Sequence, residues 1–250
     1  ERSAARNNGI KRSQGEWICF LDSDDLIEND YLESLLTLSE DKSIDCILIG
    51  HKKHWIDCKK VIEFEAPNYQ NDIVSEYCDK AKPIATWEVV SRKKVFNSFL
   101  FNEDLNVWED THLYYRILSR FNYKRLNTTS YIQLMHENSW SFSAEHKIDF
   151  KMINNYYYAI KDLFDNHSSE ISLKKNASAT KINYLHQKNQ MFFHRAYIQN
   201  DSTSSFSILK IALKNKSFFR APFYYSKSFI KCLLLRLFKN ENFNHSGNLS

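Results

Sequence analysis

An apolar run that ends in acid constrains this chain more than any other feature. Glu16-Trp17-Ile18-Cys19-Phe20-Leu21 is bounded by Gly15 on one side and by Asp22-Ser23-Asp24-Asp25 on the other. A short apolar run between such punctuation reads as a buried strand. A strand that delivers three carboxylates at its carboxyl end needs something positive there, because like charges held close together repel. Open α/β sheets bind ligands at the carboxyl ends of their strands. Carboxylate oxygens suit Mg²⁺ or Mn²⁺, which take one or two protein carboxylates and fill their shell with substrate phosphates. A hydrated cation bridging a diphosphate therefore fits the cluster. A calcium loop starting at Asp22 fails, since Leu26 would fall at position 5 and Ile27 where glycine is required. The other reading is a solvated loop in which Asp25 or Asn29 caps a helix at residue 30. The D-x-D spacing alone does not separate these two.

Glycine usage says how phosphate is not held. The 250 residues contain four glycines, at positions 9, 15, 50 and 247, and three prolines. No G-x-G-x-x-G, Walker A or G-x-S-x-G sequence can be drawn through them, so a bound diphosphate needs another device. A net charge of +4 is too small for an electrostatic nucleic-acid footprint, and no nucleic-acid partner is expected. The 43% hydrophobic content suffices for a packed core at this length. Cysteines at 19, 46, 58, 78 and 232 form no C-x-x-C pair, which removes zinc-ribbon and thioredoxin readings. Cys19 and Cys46 lie in apolar runs and are expected to be small buried hydrophobes in a reducing compartment. No apolar stretch reaches the 18 residues a membrane span requires.

Residues 2–12 read as a basic helix closing before Gly15. Residues 30–39 place Tyr31, Leu32, Leu35, Leu36 and Leu38 at helical spacing, and Asp45-Cys46-Ile47-Leu48-Ile49-Gly50 is a second buried-strand candidate. The β-α-β order points to an α/β domain. Residues 51–83 are assigned loosely to strand, loop and helix, and 84–101 to a helix or strand pair. An amphipathic helix is expected at 109–121 through Leu113, Tyr114, Ile117 and Leu118, and a half-buried strand at Tyr131-Ile132-Gln133-Leu134-Met135. From about 148 the pattern turns helical, at 148–165, 171–199, 205–215 and 222–239. The expected organisation is a domain over 1–145 and a helical region over 146–250 that packs onto it.

Two stretches then resemble a known family. Ser3-Ala4-Ala5-Arg6-Asn7-Asn8-Gly9-Ile10, followed by Gly15-Glu16-Trp17-Ile18-Cys19-Phe20-Leu21-Asp22-Ser23-Asp24-Asp25, resembles the "S-x-ARN-x-GI … GEYI-x-FLDSDD" segment of family 2 glycosyltransferases. Phe101-Asn102-Glu103-Asp104-Leu105-Asn106-Val107-Trp108-Glu109-Asp110-Thr111-His112-Leu113 is similar to that family's "ED-x-x-L" segment. His136-Glu137-Asn138-Ser139-Trp140-Ser141 is a weaker third match, with His136 where the family often has another basic residue. The resemblance covers roughly residues 1–145. It implies a GT-A fold, transfer from a nucleotide sugar with inversion, and Mn²⁺ or Mg²⁺ as cofactor. By the resemblance Asp22 faces the ribose, Asp24 ligates the metal on the diphosphate and Asp25 supports them. Arg6 and Asn7 lie toward the nucleotide, and Asp110 is the general base with Glu109 beside it. His136 either completes the metal or diphosphate site or is structural. Trp108 is a plausible sugar-stacking surface. Trp87 and Glu88 line an acceptor cleft, or Trp87 is core.

The chemistry asks for two separate acid groups. One holds a cation that neutralises the leaving diphosphate. The other takes a proton from the acceptor hydroxyl as it attacks. Read without the resemblance, Glu109 and Asp110 are simply helix N-terminal acids favoured by the macrodipole. Family members open with a nucleotide-binding β-α-β portion ahead of the "ARN" helix, and this chain is expected to be the carboxyl-terminal part of a longer protein. Its expected partners are a nucleotide-sugar donor, a UDP-sugar first, and a glycan or lipid-linked acceptor. Pro222–Lys239 sets Phe223, Phe229, Ile230, Leu233, Leu234 and Leu237 among lysines and arginine. It reads either as a basic amphipathic helix on an anionic membrane surface or as a packed helix. Localisation is expected to be cytoplasmic, with peripheral attachment at the inner face of the plasma membrane if that helix takes the membrane reading. The rival reading from another class is a truncated, non-catalytic binding or membrane-associated module.

Overall fold

The computed structural model of the chain describes residues 1–68, 83–136, 150–167 and 169. They form a mixed α/β fold of two four-stranded sheets with four α-helices. Helix α1 spans Arg2–Arg12 and α2 Tyr31–Ser39. Helix α3 spans Glu109–Leu118 and α4 Phe150–Asn166. The strands are β1 Trp17–Ile18, β2 Leu26–Ile27, β3 Cys46–Ile49, β4 His51–Trp55, β5 Lys60–Phe64, β6 Val89–Arg92, β7 Tyr123–Leu126 and β8 Tyr131–Met135. The first sheet runs β1-β6-β3-β7 and the second β2-β8-β4-β5. β1 and β3, the two strands of the expected β-α-β unit, share a sheet with the antiparallel β6 between them.

β3 is the centre of the packing. All four of its residues are buried, as expected of a strand covered on both faces. Alternation sends Cys46 and Leu48 into one core cluster with Leu113, Tyr114 and Ile117 of α3. Ile47 and Ile49 enter a second cluster with Tyr31 and Leu35 of α2. Gly50 then lets the chain leave the first sheet and enter the second. A Cβ there would fall on the Phe64 carbonyl oxygen and lie 2.9 Å from that of Thr128.

Three expectations need correction. The apolar run at 17–21 is strand only over Trp17–Ile18, because β1 pairs on one side alone, with β6. Past Ile18 the chain leaves the sheet. Cys19 is exposed, while Phe20 packs edge-on against Phe96 and Phe101. Helix α3 is buried around nearly its whole circumference rather than along one stripe, since α4 packs against it in addition to the first sheet. Neither Asp25 nor Asn29 caps α2. Asp30 holds that position without a side-chain cap bond. Of the helices expected after 148, α4 is observed and adds Ile160, Leu163 and Phe164 to the core of the preceding part. Residues 171–199, 205–215 and 222–239 lie outside the described residues, as do Ser139 and Ser141. Among the described residues no helix is long and apolar enough to cross a membrane.

A buried guanidinium ties the first sheet to α2. Arg92, 3% exposed, donates from Nε to the Ile44 carbonyl at 2.7 Å. Its Nη2 donates to the Ser39 and Asp41 carbonyls at 2.9 and 3.0 Å, and its Nη1 pairs with Glu16. The guanidinium also lies over the Trp17 ring, 4.3 Å from its centroid. The Ser39 carbonyl belongs to the last residue of α2, where helix acceptors lack partners, and those of Asp41 and Ile44 follow it. Arg92→Met would leave them unmatched in a dry site and is expected to cost about 2–4 kcal/mol. Arg92→Lys, which keeps charge but loses the fork, should cost about half that. Urea denaturation of both variants checks this.

Candidate active site

The site begins with the face α1 presents. Ser3, Asn7 and Ile10 are its buried residues, one turn apart. Polar Asn7 is tolerated in that stripe because its amide completes the backbone of Phe101. Nδ2 donates to the Phe101 carbonyl and Oδ1 accepts from the Phe101 amide, both at 3.0 Å. Nδ2 also donates to Glu103 at 2.8 Å. Asn7 thus anchors α1 to the segment before α3. Arg6, one position round the helix, is carried toward the acid clusters instead.

A cavity of about 420 Å³ is lined by Arg2, Arg6, Asp22, Ser23, Asp24, Asp25, Trp87, Asp110 and Gln133, with Ala5, Leu21 and Leu134 completing it. Arg6, Asp22, Asp24 and Asp110 are brought together here although 104 residues separate the first from the last. Asn7 and Glu109 do not line it. Arg6 donates from Nη1 to Glu109 at 2.9 Å and from Nη2 to Asp22 at 3.3 Å. Burial opposes the charge of its guanidinium, but Glu109, Asp22 and Asp110 outweigh that and hold its pKa above the ordinary value. Glu109 is buried and also meets Arg2 at 3.7 Å, so its carboxylate is committed to the two arginines.

Asp22 to Asp25 form a tight turn closed by the Asp25 amide on the Asp22 carbonyl at 3.1 Å. Within it the three acids have different surroundings. Asp25 is buried, accepts the Tyr131 hydroxyl at 2.6 Å and accepts the Leu134 amide at 2.9 Å. Burial raises its pKa despite those two bonds. It joins the acid turn to β8. Asp22 has one oxygen on Arg6. Asp24 is half exposed, with His136 Nε2 3.8 Å from its Oδ2.

The donor set fits a hard divalent cation. Asp24 presents a carboxylate at the cavity rim, and His136 adds a nitrogen within the span of one coordination shell. Mg²⁺ and Mn²⁺ ask for no more than one or two such side chains when phosphate oxygens supply the rest. Among the described residues, a three-member group whose ligand atoms lie within 4.8 Å of one another is found elsewhere. It is His112, Asp162 and His167, between α3 and α4, and sequence reasoning did not single it out. Its signal was present only as a polar pair, Asp162 and His167, within a helix-periodic stretch.

Asp110 is the second residue of α3. Enclosure at the cavity wall pushes its pKa up to about 7, and the adjacent Glu109 charge pushes the same way. The Thr111 amide, 2.6 Å from Oδ1, and the cations of Arg6 and Arg2 pull against this shift. Thr111 is fixed in turn by Ile84, whose amide donates to its Oγ at 3.0 Å. A carboxylate that exchanges its proton near neutrality is suited to general-base work.

The aromatic expectations divide. Trp108 is not a stacking surface for sugar, because it is buried and packs edge-on against Tyr115. It occupies the N-cap of α3 with φ 64° and ψ 15°, in the left-handed region. Such a conformation costs a bulky residue about 1–2 kcal/mol. Trp87 lines the cavity while stacking on Tyr131, 5.6 Å between centroids. Glu88 turns away and accepts the Ala85 amide at 2.8 Å.

Residues 1–103 match the family model described as glycosyl transferase family 2. Over those residues the chain is similar to that family, whose sequence pattern it resembles. The chain is similar to an uncharacterized glycosyltransferase of Rickettsia conorii, 28% identical over 191 residues, covering 75% of this chain and 31% of the relative. It is also similar to the putative glycosyltransferase EpsH of Bacillus subtilis, 35% identical over 79 residues, covering 32% of this chain and 21% of the relative. The chain spans about a third or less of the length of these curated relatives. Among solved structures, S. aureus TarS in complex with UDP-GlcNAc aligns over 86% of this chain and 72% of its own, with TM-score 0.47 and 12% identity. Mannosyltransferase PcManGT from Pyrobaculum calidifontis, in complex with GDP-Man and Mn²⁺, aligns over 96% and 67%, with TM-score 0.42 and 11% identity.

The raised pKa of Asp110 has a sign that stability measurements can read. Its folded value, about 7, lies above the ordinary aspartate value of 3.8, so the folded state binds the extra proton and loses stability as pH rises between them. Asp110→Asn removes that titration and should leave stability near wild type at pH 4. At pH 8 it should be the more stable of the two by at least about 1 kcal/mol. Denaturant titrations of both proteins across pH 4–8 check this. The lowered pKa values of His51 and His112 act with opposite sign, but they are common to both proteins.

Proposed function

We propose that this chain carries the diphosphate-binding and acceptor-activating part of an inverting glycosyltransferase. The reaction moves a sugar from a nucleoside-diphosphate donor to a hydroxyl of a glycan or lipid-linked acceptor. One observation carries the reading. Asp110, poised to exchange a proton near neutrality, shares a single cavity with Asp22 and Asp24. That is the separation of labour such a transfer needs, with one acid group facing the leaving diphosphate and another facing the nucleophile.

Asp110 takes the proton of the acceptor hydroxyl as that oxygen attacks the anomeric carbon, and the bond from that carbon to the diphosphate oxygen breaks on the opposite face. Enclosure and then the Glu109 charge oppose the deprotonated state of Asp110, and Arg6 and Arg2 favour it, so its carboxylate holds a proton more readily than an ordinary aspartate. Arg6 stands between the two halves of the site. Asp24 and His136 would hold a Mg²⁺ or Mn²⁺ ion, which supplies charge neutralisation for the leaving diphosphate when bound. Trp87, stacked on Tyr131, offers an apolar wall beside Gln133 for the sugar face, an arrangement suited to a ring with one hydrophobic face.

In the full-length protein, Asp110→Asn is expected to lower transfer at least about 10³-fold while leaving calorimetric binding of the nucleotide sugar within about two-fold. Transfer at the wild-type rate would sink the assignment. Asp24→Asn should instead weaken Mn²⁺-dependent nucleoside-diphosphate binding by about ten-fold or more, and leave metal-free binding unchanged.

A further inference from the structure

Asp162 lies on α4, beyond the residues that match the family and outside the cavity, yet it reaches both ends of the segment that carries Asp110. Its Oδ2 accepts from Nε2 of His112, on α3, at 2.9 Å and from Nδ2 of Asn102 at 3.3 Å. Its Oδ1 accepts from Asn166, one turn further along α4, at 2.7 Å. That bond fixes which way the carboxylate points. Asn102 in turn organises the start of the segment, with Oδ1 accepting the Asp104 amide at 3.0 Å and its carbonyl accepting the Leu105 amide at 3.2 Å. At the other end the His112 amide donates to the Trp108 carbonyl at 3.0 Å. Between these two anchors lies the left-handed Trp108, then Glu109 and Asp110.

We propose that Asp162 is a positioning residue for Asp110, one carboxylate that clamps Asn102 and His112 and so holds the strained Trp108 turn that aims the base into the cavity. The proposal deepens the reading of Asp110 as general base and rests on it. A non-glycine residue in the left-handed region persists only where its surroundings over-determine it. The clamp supplies that restraint from a different helix. It also explains why a fully buried histidine stands next to the acid pair. His112 is 0% exposed, and neutral imidazole with its proton on Nε2 satisfies Asp162 while the buried Nδ1 stays unprotonated. Burial lowers the pKa of His112, which keeps the ring in that neutral form.

With His167 Nε2 3.6 Å from the same Asp162 oxygen, the cluster also has the composition of a transition-metal site. The hydrogen bonding opposes that use. Ligation through His112 Nε2 would move the ring proton to Nδ1, which is buried with no partner among the described residues, whereas metal-bound histidines almost always place that proton on an acceptor. The Asp162 oxygens are already taken by two amides and an imidazole.

The test compares Asp162→Ala and the milder Asp162→Asn with Leu163→Ala, which weakens core packing from the same helix without touching the clamp. In this chain, ¹³C-carboxyl NMR should show Asp110 of the Leu163→Ala protein titrating as in wild type. In Asp162→Ala it should move by at least about one unit toward the ordinary aspartate range as the turn loosens and water enters. Glu109, Arg6 and Arg2, the charges facing Asp110, stay unchanged in all three. In the full-length protein, Asp162→Ala should lower kcat by about 10²-fold with donor KM within about two-fold, and Asp162→Asn should fall between it and wild type. Unchanged Asp110 titration in Asp162→Ala, or an equal shift in Leu163→Ala, overturns the proposal. So does stoichiometric Zn²⁺ retention that Asp162→Ala and His167→Ala abolish, since the cluster would then be a cation site. If Asp110→Asn transfers sugar normally while Asp162→Ala still shifts the Asp110 titration, the base assignment fails and the clamp stands.

Discussion

Arg6 lies between two acid groups from distant parts of the chain, with Glu109 at 2.9 Å and Asp22 at 3.3 Å. Without Arg6 the turn 22–25 and the start of α3 would bring several carboxylates to one partly enclosed cavity, with the half-exposed Arg2 left to oppose them. Charges at such distances interact by several kcal/mol where water is scarce. Arg6 therefore does two things at once. It makes the convergence tolerable, and it sets the electrostatic environment of Asp110. Its own position depends on the face of α1 chosen by Ser3, Asn7 and Ile10, and so on the Asn7 amide that replaces a strand partner for Phe101.

The rest of the architecture keeps these groups in register. β3 is buried on both faces and gives α2 and α3 opposite sides of one sheet to pack on. Gly50 turns the chain from that sheet into the next, where β8 carries Tyr131, the residue that grips Asp25. Arg92 fastens the end of α2 to the first sheet through backbone carbonyls. Gly50 and Arg92 lie outside the cavity and the Tyr131 grip on Asp25 lies at its wall, and together they hold the acid turn and the sheets in place. Stability is spent locally at Trp108, directly before the acid pair, as is common where a fold must aim a functional side chain.

Much of this was legible in the residue order. Helices at 2–12, 30–39 and 109–121 and strands at 45–50 and 131–135 followed from period and punctuation, because burial imposes a 3.6- or 2-residue repeat on whatever must face a core. The alternation of Tyr131, Gln133 and Met135 inward is an example. The run at 17–21 misled because apolarity reports burial of some kind, and here Phe20 is held by other aromatics rather than by a strand ladder. Trp108 misled for a related reason. Its position beside two acids suggests a ligand surface, but only the fold shows it turned inward as a strained N-cap.

The sequence by itself determined the kinds of group present. It supplied an acid turn after an apolar run, an acid pair at a helix start, a basic helix ahead of both and no glycine-rich cradle for phosphate, together with the pattern shared with family 2 glycosyltransferases over residues 1–103. Those are local properties, fixed by side-chain chemistry and short-range spacing. Tertiary structure decided how the groups are divided. Among the acids, Asp25 is committed to Tyr131, Glu109 to the arginines and Asp24 to the rim, while Asp110 is left partly enclosed with a pKa near 7. It also decided that Asp162 reaches the base from a helix some 50 residues further on. Desolvation and pairing depend on which distant segments meet, and nothing in local spacing encodes that.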